Sequence, residues 1–416
     1  MKNLSFLFPG QGSQYVGMGR NLISDSSIAK STFEEASEIL GFNLTKLCLE
    51  GDIAELTKTQ NAQPAILTAS VAAFRVFNEK NDIEPSILAG HSLGEISALT
   101  CADAIEFSDA VKIVRQRGMF MQQAVPVGVG AMAAIKDLDK EIIEEECKNV
   151  SREGNVVCIS NYNSNSQIVI SGHKNAVEEV VNILTNKGVE AKFLHVSAPF
   201  HSPLMKPAAD RLREELSKYN FKDLKYDVIS NVTALPYVGK EQIVDNLVAQ
   251  IVNPVRWTPS MSYLKERGMT LGIEFGPKAV LRNLMLENTL GIKVFSYDNK
   301  NDVKALDEAI KKNKKVIPFL SRAMGIAVSI KNKNWDNDQY QKGVIEPYRK
   351  VQELDEIVER EGGKATMEEM EVAIDMLISV FRTKMVSKDE QIERFKQLFE
   401  DTDTKRLFKD FKLPLE

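Results

Sequence analysis

The sequence predicts an α/β protein: an α/β-hydrolase-like core, an inserted ferredoxin-like βαββαβ small domain and an α-helical C-terminal extension. Three observations carry that expectation. The run Ser86-Ile87-Leu88-Ala89 leads directly into Gly90-His91-Ser92-Leu93-Gly94. A serine with glycine two positions away on each side, between an apolar strand and a helix, is the pattern of a nucleophile elbow. From about residue 128 to 196 the periodicity reads strand, helix, strand, strand, helix, strand, the order of the split βαβ unit. Beyond about Asp302 the chain turns to long helical segments of mixed charge. With 416 residues the chain is long for one core, and these changes divide it into a discontinuous core (1–127 and 198–304), a small domain (128–197) and an extension (305–416).

Each element follows from local pattern. Leu4 to Phe8 is apolar and runs into Pro9-Gly10-Gln11-Gly12-Ser13-Gln14, as a buried strand entering a glycine-rich loop does. Over 63–77 the residues Ile66, Leu67, Ser70, Val71, Phe74, Val76 and Phe77 recur with helical period. Glu84-Pro85 opens the strand before the elbow, and Glu95-Ile96-Ser97-Ala98-Leu99 reads as a first helical turn with an acid where the dipole favours one. In the small domain, strands are expected at 131–135, 156–162, 167–171 and 191–196 and helices at 138–150 and 175–186, with a turn at Asn163-Ser164-Asn165-Ser166. A strand at 228–231, a helix at 241–251 and a strand at 271–275 return the chain to the core. In the extension, Thr366 with Glu369 and Ser387 with Glu390 fit capping boxes, and Gly362-Gly363 marks a break. Its apolar stripes are Leu354, Ile357, Val358; Met370, Ala373, Ile374, Leu377; and Ile392, Phe395, Leu398, Phe399.

Composition excludes several classes. Hydrophobic residues at 43% and charged residues at 27% are the balance of an ordinary globular protein. A net charge of −5 offers no basic field for nucleic acid or an anionic membrane. Cys48, Cys101, Cys147 and Cys158 show neither C-x-x-C spacing nor a histidine cluster, so buried free thiols are expected rather than a metal site or disulfides. Gly10-x-Gly12 lacks the acidic residue that a dinucleotide fingerprint places after its second strand. The apolar stretch up to Phe8 is too short for a signal-peptide core or a membrane span, and a cytoplasmic location is the expectation.

A serine nucleophile needs a base, and the chain has four histidines, His91, His173, His195 and His201. His91 would project to the other side of the elbow, packing or bonding beneath the turn. His173 reads as a solvated loop residue and His195 as half exposed on the last small-domain strand. His201 sits in Ser197-Ala198-Pro199-Phe200-His201-Ser202-Pro203, a loop stiffened by two prolines where the chain leaves the small domain, and is the favoured base. No aspartate between Ser92 and His201 stands in a distinctive strand-end loop, so a backbone carbonyl is the candidate to orient the imidazole. Arg117, beside apolar residues on a predicted helix, is either a surface residue or, facing a cleft, a bidentate seat for a carboxylate.

Phe8-Pro9-Gly10-Gln11-Gly12-Ser13-Gln14, the elbow, Arg117-Gly118 with Met121, Pro199 to Met205, and Glu274-Phe275-Gly276-Pro277, in that order from Met1 to about Lys304, resemble the successive motifs of the malonyl-CoA:acyl carrier protein transacylases, including polyketide synthase acyltransferases. The resemblance implies a ping-pong acyl transfer in which Ser92, with His201 as base, takes a malonyl group from malonyl-CoA and passes it to the phosphopantetheine thiol of an acyl carrier protein, with no permanently bound cofactor and no metal. It further implies an oxyanion hole from the backbone amides of Gln11 and Leu93, a malonyl carboxylate on Arg117, substrate contacts at Gln63, Met121 and Phe200, and the main-chain carbonyl of Gln250 behind His201. Phe200 resembles the malonyl-type pattern, since a bulky ring leaves little room for an α-methyl branch. The region after about Ala305 departs from the family's stand-alone members. It reads as a solvated appendage or as a docking surface for a carrier protein or polyketide synthase component, and the run Lys311, Lys312, Lys314, Lys315 is a candidate attraction for an acidic partner. Two rival readings remain: an acyl hydrolase that clears carrier proteins with the same serine and histidine, and a non-catalytic scaffold.

Overall fold

The computed structural model describes residues 3–81, 83–194, 196, 198–313, 317–409 and 411. Among them nine strands follow one another: β1 (Leu4–Phe8), β2 (Ile87–Gly90), β3 (Gly130–Lys136), β4 (Val157–Ser164), β5 (Gln167–His173), β6 (Ala191–Phe193), β7 (Asp227–Ile229), β8 (Leu271–Glu274) and β9 (Lys293–Ser296). They form two sheets, one in the order β7-β2-β1-β8-β9 and one in the order β4-β5-β3-β6.

The first sheet is parallel throughout. Every residue of β1 and β2 is buried, as expected of parallel strands covered on both faces. Behind β1, Phe6 packs edge-on against Phe74, Phe77 and Phe275 at centroid distances of 6.0, 5.6 and 4.9 Å, and each fully buried ring contributes about 1.5–3 kcal/mol by leaving water. The helix over the expected 63–77 stretch runs further, Thr59–Lys80, with Pro64 inside it. Proline cannot donate to the Gln60 carbonyl four residues back, and the Arg115 guanidinium donates to that carbonyl instead at 2.7 Å. Strand β9 was not expected; its four residues carry only Val294, Phe295 and flanking polar groups, too short a run for periodicity to single out.

The second sheet is antiparallel, and its helices Lys140–Val150 and Lys174–Asn186 bury their apolar faces in a separate core with Ala133, Ile135, Ile159 and Ile170. Numbering its strands by order of appearance gives 2-3-1-4, the ferredoxin-like arrangement in which the two βαβ halves interleave. Two expectations are corrected. Ser164 pairs with Gln167, which leaves Asn165-Ser166 as a two-residue turn in place of four. The last strand stops at Phe193, and the reading of His195 lies outside the described residues.

Contacts divide the chain into Met1–Ile310 and Lys311–Glu416. The first unit holds both sheets, so residues 128–197 are not set apart from the core by contacts. The expected boundary at 304/305 falls inside the helix Lys300–Asn313, because Leu306 and Ile310 are buried in the core of the first unit. The second unit is helical and has a core of its own, in which Leu320, Val351, Leu377, Val380, Phe381 and Leu398 are fully covered. Thr366 and Glu369 form a reciprocal capping box, whereas Ser387 only accepts from the Glu390 backbone and the return bond is absent among the described residues. Ile357 and Ile392 lie outside the apolar stripes expected to include them, at 42% and 57% exposure. Lys314 and Lys315 of the lysine run lie outside the described residues. No helix among the described residues is long and apolar enough to cross a membrane. Cys48, Cys101 and Cys147 are buried free thiols, Cys158 is only partly covered, and no group of metal-ligating side chains occurs among the described residues.

Candidate active site

In a parallel sheet the loops at the carboxyl ends of adjacent strands share one edge. The register pairs Phe8 with Gly90 and Ala89 with Ile229, which brings the loop after β1, the elbow after β2 and Ser230-Asn231 after β7 together. Ser92 holds φ 53° and ψ −108°, a sparsely populated conformation that neighbours must impose. The two glycines permit it. A Cβ on Gly90 would lie 1.9 Å from the Gly94 carbonyl, and one on Gly94 1.9 Å from the Phe8 carbonyl. The helix Leu93–Cys101 starts directly after Ser92 and aims its positive end there.

The Ser92 hydroxyl lies 2.8 Å from His201 Nε2, and His201 Nδ1 lies 2.7 Å from the Gln250 carbonyl. A carbonyl only accepts, so Nδ1 carries the proton and Nε2 is free to take one from serine. His201 also has positive φ, 56°, in the loop closed by Pro199 and Pro203. Burial first, and the charge of Arg117 second, push its pKa down to about 3, so the imidazole is neutral, as a base must be.

Arg117 is 1% exposed, so it is not the surface residue that a lone helical arginine often is. Gly118 lets its helix, Phe107–Gln123, approach the helix Thr59–Lys80 closely, because a Cβ there would lie 2.7 Å from Gln60 Cα. The guanidinium donates to Gln63 Oε1 and Gln250 Oε1, each at 2.8 Å, and to Ser92 Oγ at 3.1 Å. Its Nε is fully buried with no partner among the described residues, a donor that a bound carboxylate would satisfy. Burial lowers its pKa to about 10, which leaves it charged at neutral pH.

A cavity of about 350 Å³ opens onto these groups, lined by Gln11, Ser92, Leu93, Arg117, Met121, Phe200 and His201 from the core and by Met132, Asn161, Asn163 and Val169 from the small domain. Among the described residues the backbone N–H groups of Gln11 and Leu93 find no acceptor. Gln63 and Gln250 stand behind Arg117 rather than on the cavity wall, and Gln63 also donates to the Met121 sulfur at 3.6 Å. His91 does not turn away beneath the elbow: it lines the same cavity, with Nε2 2.8 Å from Asn163 Oδ1 of the small domain. His173 is no solvated residue, since its Nδ1 accepts from the Val156 backbone at 2.9 Å and ties the β4–β5 hairpin.

Sequence reasoning missed what Asn231, Glu95 and Tyr237 do here. Asn231 accepts from the Ser92 backbone N–H at 2.6 Å and donates to the Gly90 carbonyl at 2.7 Å. Glu95, read as an acid placed to complement the helix dipole, is fully buried. It accepts from the Tyr237 hydroxyl, from Asn231 N–H at 3.0 Å and from Gln250 Nε2 at 2.7 Å. The strand expected at 228–231 ends instead at Ile229, which puts Asn231 in the loop beyond the strand end, where the sequence pattern had not placed it.

The chain matches the acyl transferase domain family over residues 5–323. A malonyl CoA-acyl carrier protein transacylase of Bacillus subtilis is 40% identical over 400 residues, covering 95% of this chain and all of that one. Another protein of the same name, from Bacillus subtilis strain 168, is 44% identical over 312 residues, which is 75% of this chain and 98% of the relative. Among solved structures, an acyl carrier protein S-malonyltransferase of Vibrio cholerae superposes with a TM-score of 0.71 at 41% identity, covering 73% of this chain and all of that one.

Proposed function

Because the chain belongs to the acyl transferase family and, within it, to the malonyl CoA-acyl carrier protein transacylases, we infer that it moves a malonyl group from malonyl-CoA to the phosphopantetheine thiol of an acyl carrier protein through a serine ester. The observation that supports the assignment of residues is the convergence on one hydroxyl: Ser92 Oγ lies within hydrogen-bond reach of both a neutral imidazole and a buried guanidinium.

In the first half-reaction Ser92 attacks the thioester carbonyl while its proton passes to His201 Nε2. The Gln250 carbonyl stabilises the imidazolium through Nδ1–H. Charge developing on the carbonyl oxygen meets the amides of Gln11 and Leu93 at the helix start. The tetrahedral adduct expels the CoA sulfur, which takes the proton from His201, and the malonyl ester remains on Ser92. The second half-reaction repeats these steps with the carrier thiol as nucleophile. Arg117 holds the malonyl carboxylate, a role that a hydrolase of monocarboxylic chains has no use for.

Incubation with labelled malonyl-CoA or acetyl-CoA tests this. Malonyl mass is expected on Ser92 and absent from Ser92→Ala, with acetyl loading far weaker, and added holo carrier protein is expected to receive the group. Equal loading of both acyl groups, or release only to water, would overturn it.

The unit Lys311–Glu416 is not needed for that chemistry on this reading, since relatives matched over about two thirds and three quarters of this chain bear the same name as one matched over 95% of it, and the core of the first unit is complete by Ile310. We read it as a docking surface for the carrier or a synthase partner. Deleting 311–416 is therefore expected to leave Ser92 malonylation within about twofold and to raise KM for the cognate carrier; transfer unchanged to every carrier tested would remove the docking role.

A further inference from the structure

Glu95 is a buried acid that the transfer mechanism above does not use. Its two oxygens take three hydrogen bonds, and two of the donors lead back to working parts of the site. Asn231, whose N–H bonds Oε2, holds the Ser92 backbone amide. Gln250, whose Nε2 bonds the same oxygen, presents its main-chain carbonyl to His201 and its side-chain Oε1 to Arg117. Tyr237 closes the other side from a position 6% exposed. One primary amide thus stands between a carboxylate and a guanidinium, accepting from the cation and donating to the anion, all of it out of water.

We propose that Glu95 is a positioning residue and the internal counter-charge of Arg117, coupled to it through the Gln250 side chain, and that its ionised form is required for fast malonyl transfer. The proposal rests on the transfer reading given above. With Glu95 ionised, the site behind Ser92 carries an acid for its base, and the imidazolium that forms on His201 meets a cation already neutralised. Without that charge, Arg117 is offset by the malonyl carboxylate alone, so it opposes the imidazolium more strongly and grips the malonyl carboxylate harder, in the ground state as well as in the ester. The chemical step slows while substrate binding does not weaken, the reverse of what loosened packing produces.

The charged and titratable groups facing this carboxylate are few. Arg117 reaches it from the helix Phe107–Gln123 and Tyr237 from the segment after β7, with the amides of Asn231 and Gln250 as neutral donors; His201 lies one residue further, on the Gln250 carbonyl. Burial raises Glu95 to about 7 against the pull of Tyr237, Asn231, Gln250 and Arg117, whereas His201 is held near 3. An acid limb of kcat/KM close to neutrality therefore belongs to Glu95, with the rate rising as the carboxylate ionises.

The test is Glu95→Gln, which keeps the shape and an acceptor for Asn231 and Gln250 but carries no charge, assayed in the full chain with malonyl-CoA and holo carrier protein. Expected are a kcat at pH 8 reduced at least fivefold, a KM for malonyl-CoA unchanged or lower, and loss of the acid limb. A wild-type kcat, a raised KM with kcat preserved, or an acid limb that persists would overturn the proposal. Should E95Q not fold, Tyr237→Phe decides: removing one donor to the carboxylate is expected to move the limb to higher pH, and an unmoved limb overturns it. Wild-type enzyme that fails to load malonyl would sink the transfer reading itself, whereas wild-type loading with an indifferent E95Q sinks only the role of Glu95.

Discussion

Arg117→Ala is expected to abolish the preference for malonyl over acetyl groups. The guanidinium is out of water, already orders Gln63, Gln250 and Ser92, and keeps a buried Nε unpartnered among the described residues. A carboxylate arriving there exchanges its hydration for a fixed cation, and truncating one member of such a buried charged pair costs about 2–5 kcal/mol. At about 1.36 kcal/mol per factor of ten, that is a fall of about 30-fold to several thousand-fold in kcat/KM for malonyl-CoA. Acetyl-CoA has no carboxylate to lose, so its loading should change far less. The truncation also strands Glu95 without its counter-charge, and part of the loss should appear as a lower unfolding temperature. Loading of Ser92 followed by mass, for both thioesters, reads the preference directly. An Arg117→Ala protein that still favours malonyl would remove the carboxylate seat from this site.

Gly94→Ala is expected to cost both stability and rate. The new Cβ would lie 1.9 Å from the Phe8 carbonyl oxygen, a backbone atom in the central strand that no rotamer change can move. Overpacking of this kind costs about 1–3 kcal/mol or more, and here the strand and helix on either side of Ser92 must part to relieve it. A shift of the hydroxyl by about 1 Å from His201 and the oxyanion donors is worth about a hundredfold in rate. Gly90→Ala, whose Cβ would meet the Gly94 carbonyl at the same distance, should behave alike. Gly363→Ala is the control, since nothing lies within 4 Å of a Cβ there. Thermal unfolding and the rate of Ser92 malonylation check all three; a Gly94→Ala enzyme with normal stability and loading would mean that the elbow does not need its glycine.

The legible part of this protein is local in origin. A nucleophile elbow is written in six consecutive residues because its strain is relieved only by glycines at fixed spacing. The βαββαβ order shows because its helices bury one apolar face and carry that period in sequence, while its strands are short, largely apolar runs set between turn and helix signals. Turn and boundary details were less legible. The Asn163 to Ser166 turn shortened because cross-strand pairing continued through Ser164, and the helix Lys300–Asn313 stayed with the first unit because Leu306 and Ile310 found a core there. Ile357 and Ile392 fit a helical stripe by spacing yet face outward, since spacing fixes which residues share a face but not which face finds a neighbour.

By itself the chain determined which residues can do chemistry: a serine on a forced turn, a histidine between prolines, an arginine on an apolar helix. It could not determine the environment of each. Residue pattern left open whether Arg117 faced water or the cleft, whether Glu95 met solvent or a tyrosine, and which carbonyl stood behind His201, the Gln250 carbonyl and the Arg117 seat being implied by the family resemblance alone. All are decided by strands and helices that adjoin in space while lying far apart along the chain, Glu95 to Tyr237 and to Gln250 among them. The physical reason is desolvation. A charge is defined chemically by its side chain, but its proton affinity and the strength of its interactions depend on how much water the surrounding fold removes, and that is a property of tertiary packing alone.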